Sequence, residues 1–267
     1  MGILNVTPDS FSDGGRYFSP DAAVEQGMRM AADGAAIIDV GGESTRPGAR
    51  GVPVDEELDR VIPIVEALCR ELEVPVSVDT SKAEVMTAAV AAGAGLINDV
   101  RALRDAGALA AAAASGVPVC LMHMQGEPRT MQASPSYGDV VGDILDFLDQ
   151  RVAACRQAGI AREHLLIDPG FGFGKTLAHN LALLERLGEF GRFGLPVLVG
   201  ISRKSMLGTI TGRPVAERLA ASVAAALLAA ERGAVVLRVH DVAATVDALA
   251  VLQALQHNKT DEGVVSA

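Results

Sequence analysis

Val74-Pro-Val-Ser-Val-Asp-Thr-Ser-Lys-Ala-Glu-Val-Met-Thr-Ala-Ala-Val-Ala-Ala-Gly-Ala-Gly-Leu-Ile-Asn-Asp99 reads as one strand–helix–strand unit. Pro75 announces a short run over 76–78, and Asp79-Thr80-Ser81-Lys82 follows as a polar turn. Residues 82–92 then carry a helical pattern. Gly95 announces the next run, 96–97, which again ends on polar residues, Asn98-Asp99. Two strands joined by a crossover helix lie parallel in one sheet.

Outward from this unit the same order repeats. Apolar runs stand at 1–4, 37–40, 119–122, 165–167, 197–199 and 235–239. They lack polar alternation, as strands covered on both faces do. Gly34, Pro118, Pro196 and Gly233 announce four of them. Helical stretches fall between, at 21–33, 55–72, 105–114, 142–158, 180–187, 214–232 and 242–255. In the second of these, Leu58, Val61, Ile62, Val65 and Leu68 form one apolar stripe. About eight strand–helix units predict an α/β fold of the (β/α)8 TIM-barrel type. It occupies one domain over residues 1–257, with a polar tail at 258–267. An open doubly wound sheet is the alternative. Its Gly-rich first turn and downstream ribose carboxylate are not found.

Composition agrees. The chain has 267 residues, 49% hydrophobic and 21% charged, enough for one large core. Its net charge of −10 argues against nucleic acid or an anionic membrane surface as partner. Trp is absent and aromatics are 3%, which disfavours a base-stacking surface. Cys69, Cys120 and Cys155 form no CxxC pair and read as structural thiols of a cytoplasmic protein. The first residues do not read as a signal peptide, and neither apolar stretch, 106–122 nor 219–230, reads as a membrane span.

In a barrel the chemistry sits at the C-terminal ends of the strands. Every run here ends on polar residues. Asn5 leads into Thr7-Pro8-Asp9-Ser10-Phe11; Asp39 leads into Gly42-Glu43-Ser44-Thr45-Arg46-Pro47. Asp79, Asn98-Asp99, His123 and Asp168 end the next four. Ser202-Arg203-Lys204-Ser205 and Arg238 with His240-Asp241 complete the ring. A single Asp after a strand is ordinarily a helix cap; a full ring is not. Arg203, Lys204, Arg238 and His240 make one pole suited to an anion, since barrels often bind phosphate after the last two strands. Asp79, Asn98 and Asp168 make a pole suited to a heterocycle with several N–H donors, an aminopyrimidinone carrying a phosphate group. No Ser-His-Asp order or activated cysteine points to covalent catalysis, which leaves positioning and charge stabilisation. The run Gly170-Phe-Gly-Phe-Gly174-Lys175-Thr176 imitates a phosphate loop but has Pro169 where that loop needs its first glycine. His164 and His179 read as surface or helix-end residues, and His257 belongs to the tail.

Taken together, residues 2–15, Gly42-Glu-Ser-Thr-Arg-Pro-Gly48, Asp168-Pro-Gly-Phe-Gly-Phe-Gly174-Lys175, Ser202-Arg-Lys-Ser205 and Arg238-Val-His-Asp241 resemble the bacterial dihydropteroate synthases, pterin-binding enzymes, over nearly the whole chain. The resemblance implies a homodimeric barrel that condenses 6-hydroxymethyl-7,8-dihydropterin pyrophosphate with p-aminobenzoate, uses Mg²⁺ and is the sulfonamide target. It implies Asn5 as the metal-contacting residue. Asp79, Asn98, Asp168 and Lys204 would form the pterin pocket, with Asp79, Asp168 and Lys204 catalytic. Arg238 and His240 would anchor pyrophosphate, and Phe11, Thr45, Pro47, Phe173 and Ser205 would face p-aminobenzoate. Residues 6–16 and 44–54 read as lids, and the later helices as the dimer face. The family's usual segment before the first motif, a cap on the barrel bottom, is expected to be missing. Pterin-binding methyltransferases share the pocket but not the first-loop or Ser-Arg-Lys motifs. A paralogue without turnover would not be expected to keep every site position.

Overall fold

Short strands are buried where every second residue must face the helices and the rest must fill the sheet's interior. The computed structural model describes residues 1–7, 20–45 and 48–262. Its strands are β1 (Gly2–Asn5), β2 (Ile38–Gly41), β3 (Val76–Asp79), β4 (Leu96–Asp99), β5 (Val119–Met122), β6 (Leu165–Asp168), β7 (Val197–Val199) and β8 (Ala234–Leu237). They form one parallel sheet in the order of the sequence. The sheet curls until its edges meet. Gly2 bridges Val239 in parallel, Ile3 N–H donates to the Val239 carbonyl at 3.0 Å, and Val239 N–H donates to that of Met1 at 2.9 Å. All eight predicted runs are strands.

The helices are α1 (Pro20–Ala32), α2 (Val54–Glu71), α3 (Ala83–Ala91), α4 (Ala108–Ser115), α5 (Val140–Gln157), α6 (Leu177–Glu185), α7 (Ser205–Thr211), α8 (Leu219–Glu231) and α9 (Val242–Glu262). Two expectations are corrected. The stretch 214–232 is not one helix. The short α7 precedes it and stops at Gly212, whose φ of +70° closes the helix in the left-handed region. Pro214 leads a 3₁₀ turn, and α8 starts only at Leu219. The expected tail from Asn258 is helical through Glu262. Nothing between Leu255 and Glu262 is a Gly or Pro that would stop it.

Register decides which side chains reach the interior. Leu4, Val40, Val78, Ile97, Val119 and Leu165 pair across neighbouring strands as one row, and all are buried in the core beneath the helices. One residue further on, the row is Asn5, Gly41, Asp79, Asn98 and Cys120. Alternation along a strand sends this second row to the opposite face. Asp39 lies two residues before Gly41 and shares its face. Parity turns this row into the barrel interior, and its place at the strand ends puts it at the C-terminal mouth.

Candidate active site at the barrel mouth

Four side chains from four strands meet in the mouth. Asp39, fully buried, accepts at Oδ2 from Asn98 Nδ2 at 3.1 Å and from Arg238 Nε at 2.5 Å. Arg238 Nη2 donates to Asp79 Oδ2 at 2.7 Å. Burial pushes the Asp79 carboxyl up to about 7 although Arg238 pulls the other way. Burial lowers the guanidinium's pKa, but Asp39 and Asp79 outweigh it and hold that pKa above the ordinary arginine value. The two poles expected from the sequence are therefore not separate. The barrel brings β8 beside β1, so Arg238 reaches the carboxylates of β2 and β3.

Gly41 keeps this region open. A Cβ there would stand 3.4 Å from Asp79 Cβ and 3.7 Å from Asn5 Oδ1. Asn5, partly buried at the end of β1, thus borders the same gap. A cavity of about 220 Å³ lies beside Asp79 and is lined also by Thr45, Thr80, Ser81, Lys82 and Arg101.

The other side of the mouth comes from β6 and β7. Asp168 ends β6, and its Oδ1 accepts from Gly170 N–H at 2.7 Å. Burial raises its pKa, with Lys204 opposing. Lys204 Nζ donates to the Phe171 carbonyl and lies 4.4 Å above the centre of the Phe173 ring. Burial lowers its ammonium to about 8. Phe173 is buried against this cation; Ser205 opens α7 and is exposed. His240 Nδ1 lies 3.0 Å from Ser202 Oγ, which also accepts from His240 N–H at 3.2 Å. Phe11 and Pro47 lie outside the described residues.

Arg203 does not join the anion pole as the sequence suggested. It adopts φ +58° and its guanidinium binds Asp241, with Nε to Oδ2 at 3.0 Å. The strained turn is fixed by Arg203 N–H donating to Ser222 Oγ at 2.9 Å, and it sets Ser202 and Lys204 on either side. Asp99, next to Asn98, points outward and accepts from Arg101 and Leu103 N–H at 2.8 and 2.7 Å.

Sequence reading assigned no role to three residues that shape the mouth. Asp39 was visible as a strand-end acid, but only register shows that it faces Asn98 and Arg238. Lys175 and His123 were missed as a pair. The buried Lys175 Nζ lies 3.0 Å from His123 Nδ1 and donates to the carbonyls of Gly170 and Phe173 at 2.8 and 3.0 Å, and burial pulls its pKa well below the ordinary lysine value. All its protons are used inside the protein, which is why this run is no phosphate loop. Burial, with Lys175 alongside, drives the His123 imidazole down to about 2, so it stays neutral and accepts at Nδ1. Gly170 has φ +72°, and a Cβ on it would fall 1.9 Å from the His123 carbonyl oxygen. The loop carrying Phe173 is thereby clamped to the loop after β5. His179 serves α6 as half of a capping box with Thr176.

Residues 1–240 match the family of pterin binding enzymes. The dihydropteroate synthase of Escherichia coli (strain K12) is 58% identical over 254 residues, 95% of this chain and 90% of that protein. The Yersinia pestis dihydropteroate synthase with a sulfonamide drug complex superimposes with a TM-score of 0.93 at 56% identity, covering 96% of this chain and 94% of that one. The Xanthomonas albilineans dihydropteroate synthase with 4-aminobenzoic acid gives 0.91 at 59%, covering 96% and 92%. With the match running from β1 through His240, the chain belongs to the pterin binding enzyme family, among its dihydropteroate synthases.

Proposed function

We propose a division of labour within the mouth for the reaction this transferase carries out. That reaction condenses 6-hydroxymethyl-7,8-dihydropterin pyrophosphate with p-aminobenzoate to 7,8-dihydropteroate and pyrophosphate. The observation that carries the assignment is the inward row of Asp79 and Asn98 facing Asp168 and Lys204. Two carboxylates accept from the amino-pyrimidinone edge, the Asn amide both donates and accepts, and the Lys204 ammonium donates to ring acceptors.

Arg238 and His240, at the end of the eighth strand, hold the pyrophosphate. As the methylene C–O bond breaks, both bonding electrons leave with pyrophosphate. The positive charge left at the methylene spreads into the electron-rich dihydropterin ring. Asp79 and Asp168 stabilise it electrostatically. The p-aminobenzoate nitrogen then forms the C–N bond and gives its proton to solvent. An aniline needs no strong general base, in keeping with a mouth whose buried histidine, His123, is consumed by Lys175. Thr45, Pro47, Phe11, Phe173 and Ser205 are the residues proposed to face p-aminobenzoate.

Mg²⁺ fits the donors as a shared ligand. Asn5 presents a hard oxygen, Oδ1, beside the gap left by Gly41, and a phosphate-bound Mg²⁺ usually takes only one or two protein oxygens. Held there by Asn5, the ion would supply positive charge to offset that of the pyrophosphate. Two further proposals concern the whole protein. Exposed Ile210, Val215, Leu219, Leu228, Val251 and Leu255 gather on α7 to α9, which supports a homodimer through this face. Three free thiols support a cytoplasmic setting. No helix among the described residues is long and apolar enough to cross a membrane.

The test is pyrophosphate release followed with and without p-aminobenzoate while Mg²⁺ is titrated. Release should require both p-aminobenzoate and Mg²⁺. Release indifferent to p-aminobenzoate would remove the condensation, and release indifferent to Mg²⁺ would remove the metal.

A further inference from the structure

Lys82 stands three residues after Asp79 and immediately before α3, in extended backbone with φ −97° and ψ 126°. Its ammonium lies between two carboxylates, donating to Glu43 Oε2 and Glu57 Oε2. Glu57 belongs to the first turn of α2 and is fully buried. Its other oxygen, Oε1, has no hydrogen-bond partner among the described residues. Glu43 is the second residue of the loop over residues 42–53, which joins β2 to α2 and carries Thr45 and Pro47.

Glu43 is bound at both ends of that loop. The Oε2 that receives Lys82 also accepts from Val52 N–H at 3.3 Å. The loop has two further moorings. Arg60 Nη1 donates to the Gly42 carbonyl at 2.9 Å, and Gly48 N–H donates to the Pro128 carbonyl at 3.2 Å. A Cβ on Gly42 would lie 2.6 Å from Val61 Cγ2 and 3.0 Å from Glu57 Cγ, so the loop's first residue rests directly on the buried acid. Among the described residues, Lys82 reaches the loop from the turn just after β3, the strand that ends in Asp79.

We infer that Lys82 is a positioning residue, which holds the β2–α2 loop at the height needed to present p-aminobenzoate to the pterin held by Asp79. This rests on the proposed roles of Thr45 and Pro47. The physical argument is one of charge. Two carboxylates share one ammonium, and one of them cannot move because it is sealed under α2. Without the ammonium, Glu43 faces Glu57 with nothing between them. Like charges then push the mobile partner, and the loop with it, away from β3. Burial would pull the ammonium's pKa down, but its bonds to Glu43 and Glu57 outweigh that and raise it. The pair is shielded enough from water for salt to screen it poorly. The Lys82 ammonium bonds to Glu43 and Glu57 rather than to Asp79, Asn98, Asp168 or Lys204, the residues proposed for the pterin, although it lines the cavity beside Asp79.

Steady-state kinetics of the full chain test this with Lys82→Met, Lys82→Arg and Glu43→Gln. The wild type comes first, since p-aminobenzoate-independent release there would overturn the functional reading and this inference with it. Lys82→Met should raise KM for p-aminobenzoate by about tenfold. KM for the pterin pyrophosphate and kcat at saturation should stay within about threefold, the signature of a lost positioning contact for one substrate. Lys82→Arg should restore most of the loss. Glu43→Gln leaves the Lys82–Glu57 pair intact, so it tests the mooring even if Lys82→Met fails to fold. It should raise the same KM by about threefold or more, on the scale of one charged hydrogen bond. An unchanged p-aminobenzoate KM in Glu43→Gln, or equal rises for both substrates in both variants, would overturn the assignment.

Discussion

Asp79 shows how one residue links the site to stability. Burial raises its carboxyl to about 7, well above the ordinary aspartate value. Its folded-state pKa is therefore above its unfolded one. Such a group contributes stability below about pH 4, and that contribution is lost as pH rises through 7. Asp79→Asn cannot ionise. The stability of the wild type relative to this variant should fall between pH 5 and pH 8, by at most roughly 1.4 kcal/mol per pH unit. Urea unfolding at the two values measures it, and a difference that stays constant would refute the raised pKa. Arg238→Ala acts on the same network from the other side. It leaves Asp39 and Asp79 without their cation, and breaking a buried pair costs about 3–5 kcal/mol. The loss should be smaller at pH 5, where Asp79 carries its proton. Because Arg238 also props Asp79, this variant should weaken bare pterin as well as pyrophosphate; calorimetry showing only pyrophosphate binding affected would argue against the shared network. The acids and the amide were readable as strand ends. Their wiring was not, since Asp39 and Arg238 stand 199 positions apart and meet only once β8 lies beside β1.

At the scale of elements, the strands could be read because each is a short apolar run and most are announced by Gly or Pro. The long α2 could be read from its single stripe. The short α7 could not. Its seven residues, Ser-Met-Leu-Gly-Thr-Ile-Thr, include a glycine and three β-branched residues and present no stripe long enough to show a period. It forms because Met206 and Leu207 are buried and Gly212 closes it, both tertiary facts. The β6–α6 loop imitates a phosphate cradle in sequence. Its real purpose, a lysine clamp onto the β5 loop, needed the neighbouring backbone. Helix α6 gives an independent check on this region. Thr176 Oγ1 accepts from His179 N–H at 3.2 Å and His179 Nδ1 accepts from Thr176 N–H at 3.2 Å. Thr176→Ala should cost about 1 kcal/mol of stability. Thermal or urea unfolding with no loss would mean the cap contributes nothing.

At the scale of the molecule, parity and closure together make the enzyme. One residue of register separates the row that packs under helices from the inward row proposed to bind substrate, so the polar strand ends gather in one mouth. The apolar residues left outside lie mostly on α7 to α9. If this is the dimer face, Val251→Asp should shift the protein to monomer in sedimentation equilibrium while leaving the monomer folded. A wild type that sediments as a monomer would remove the dimer. At the ends of β3 and β6, the carboxylates of Asp79 and Asp168 are proposed to hold the pterin. Asp168→Asn keeps the shape but turns one acceptor oxygen into a donor facing the heterocycle's own N–H groups. A charge-assisted bond of this kind is worth about 1.5–3 kcal/mol, so pterin affinity should drop at least about tenfold. Isothermal titration of wild type and Asp168→Asn with a dihydropterin measures it most directly: a loss of that size is the expected result, and equal affinities would contradict the pocket described above.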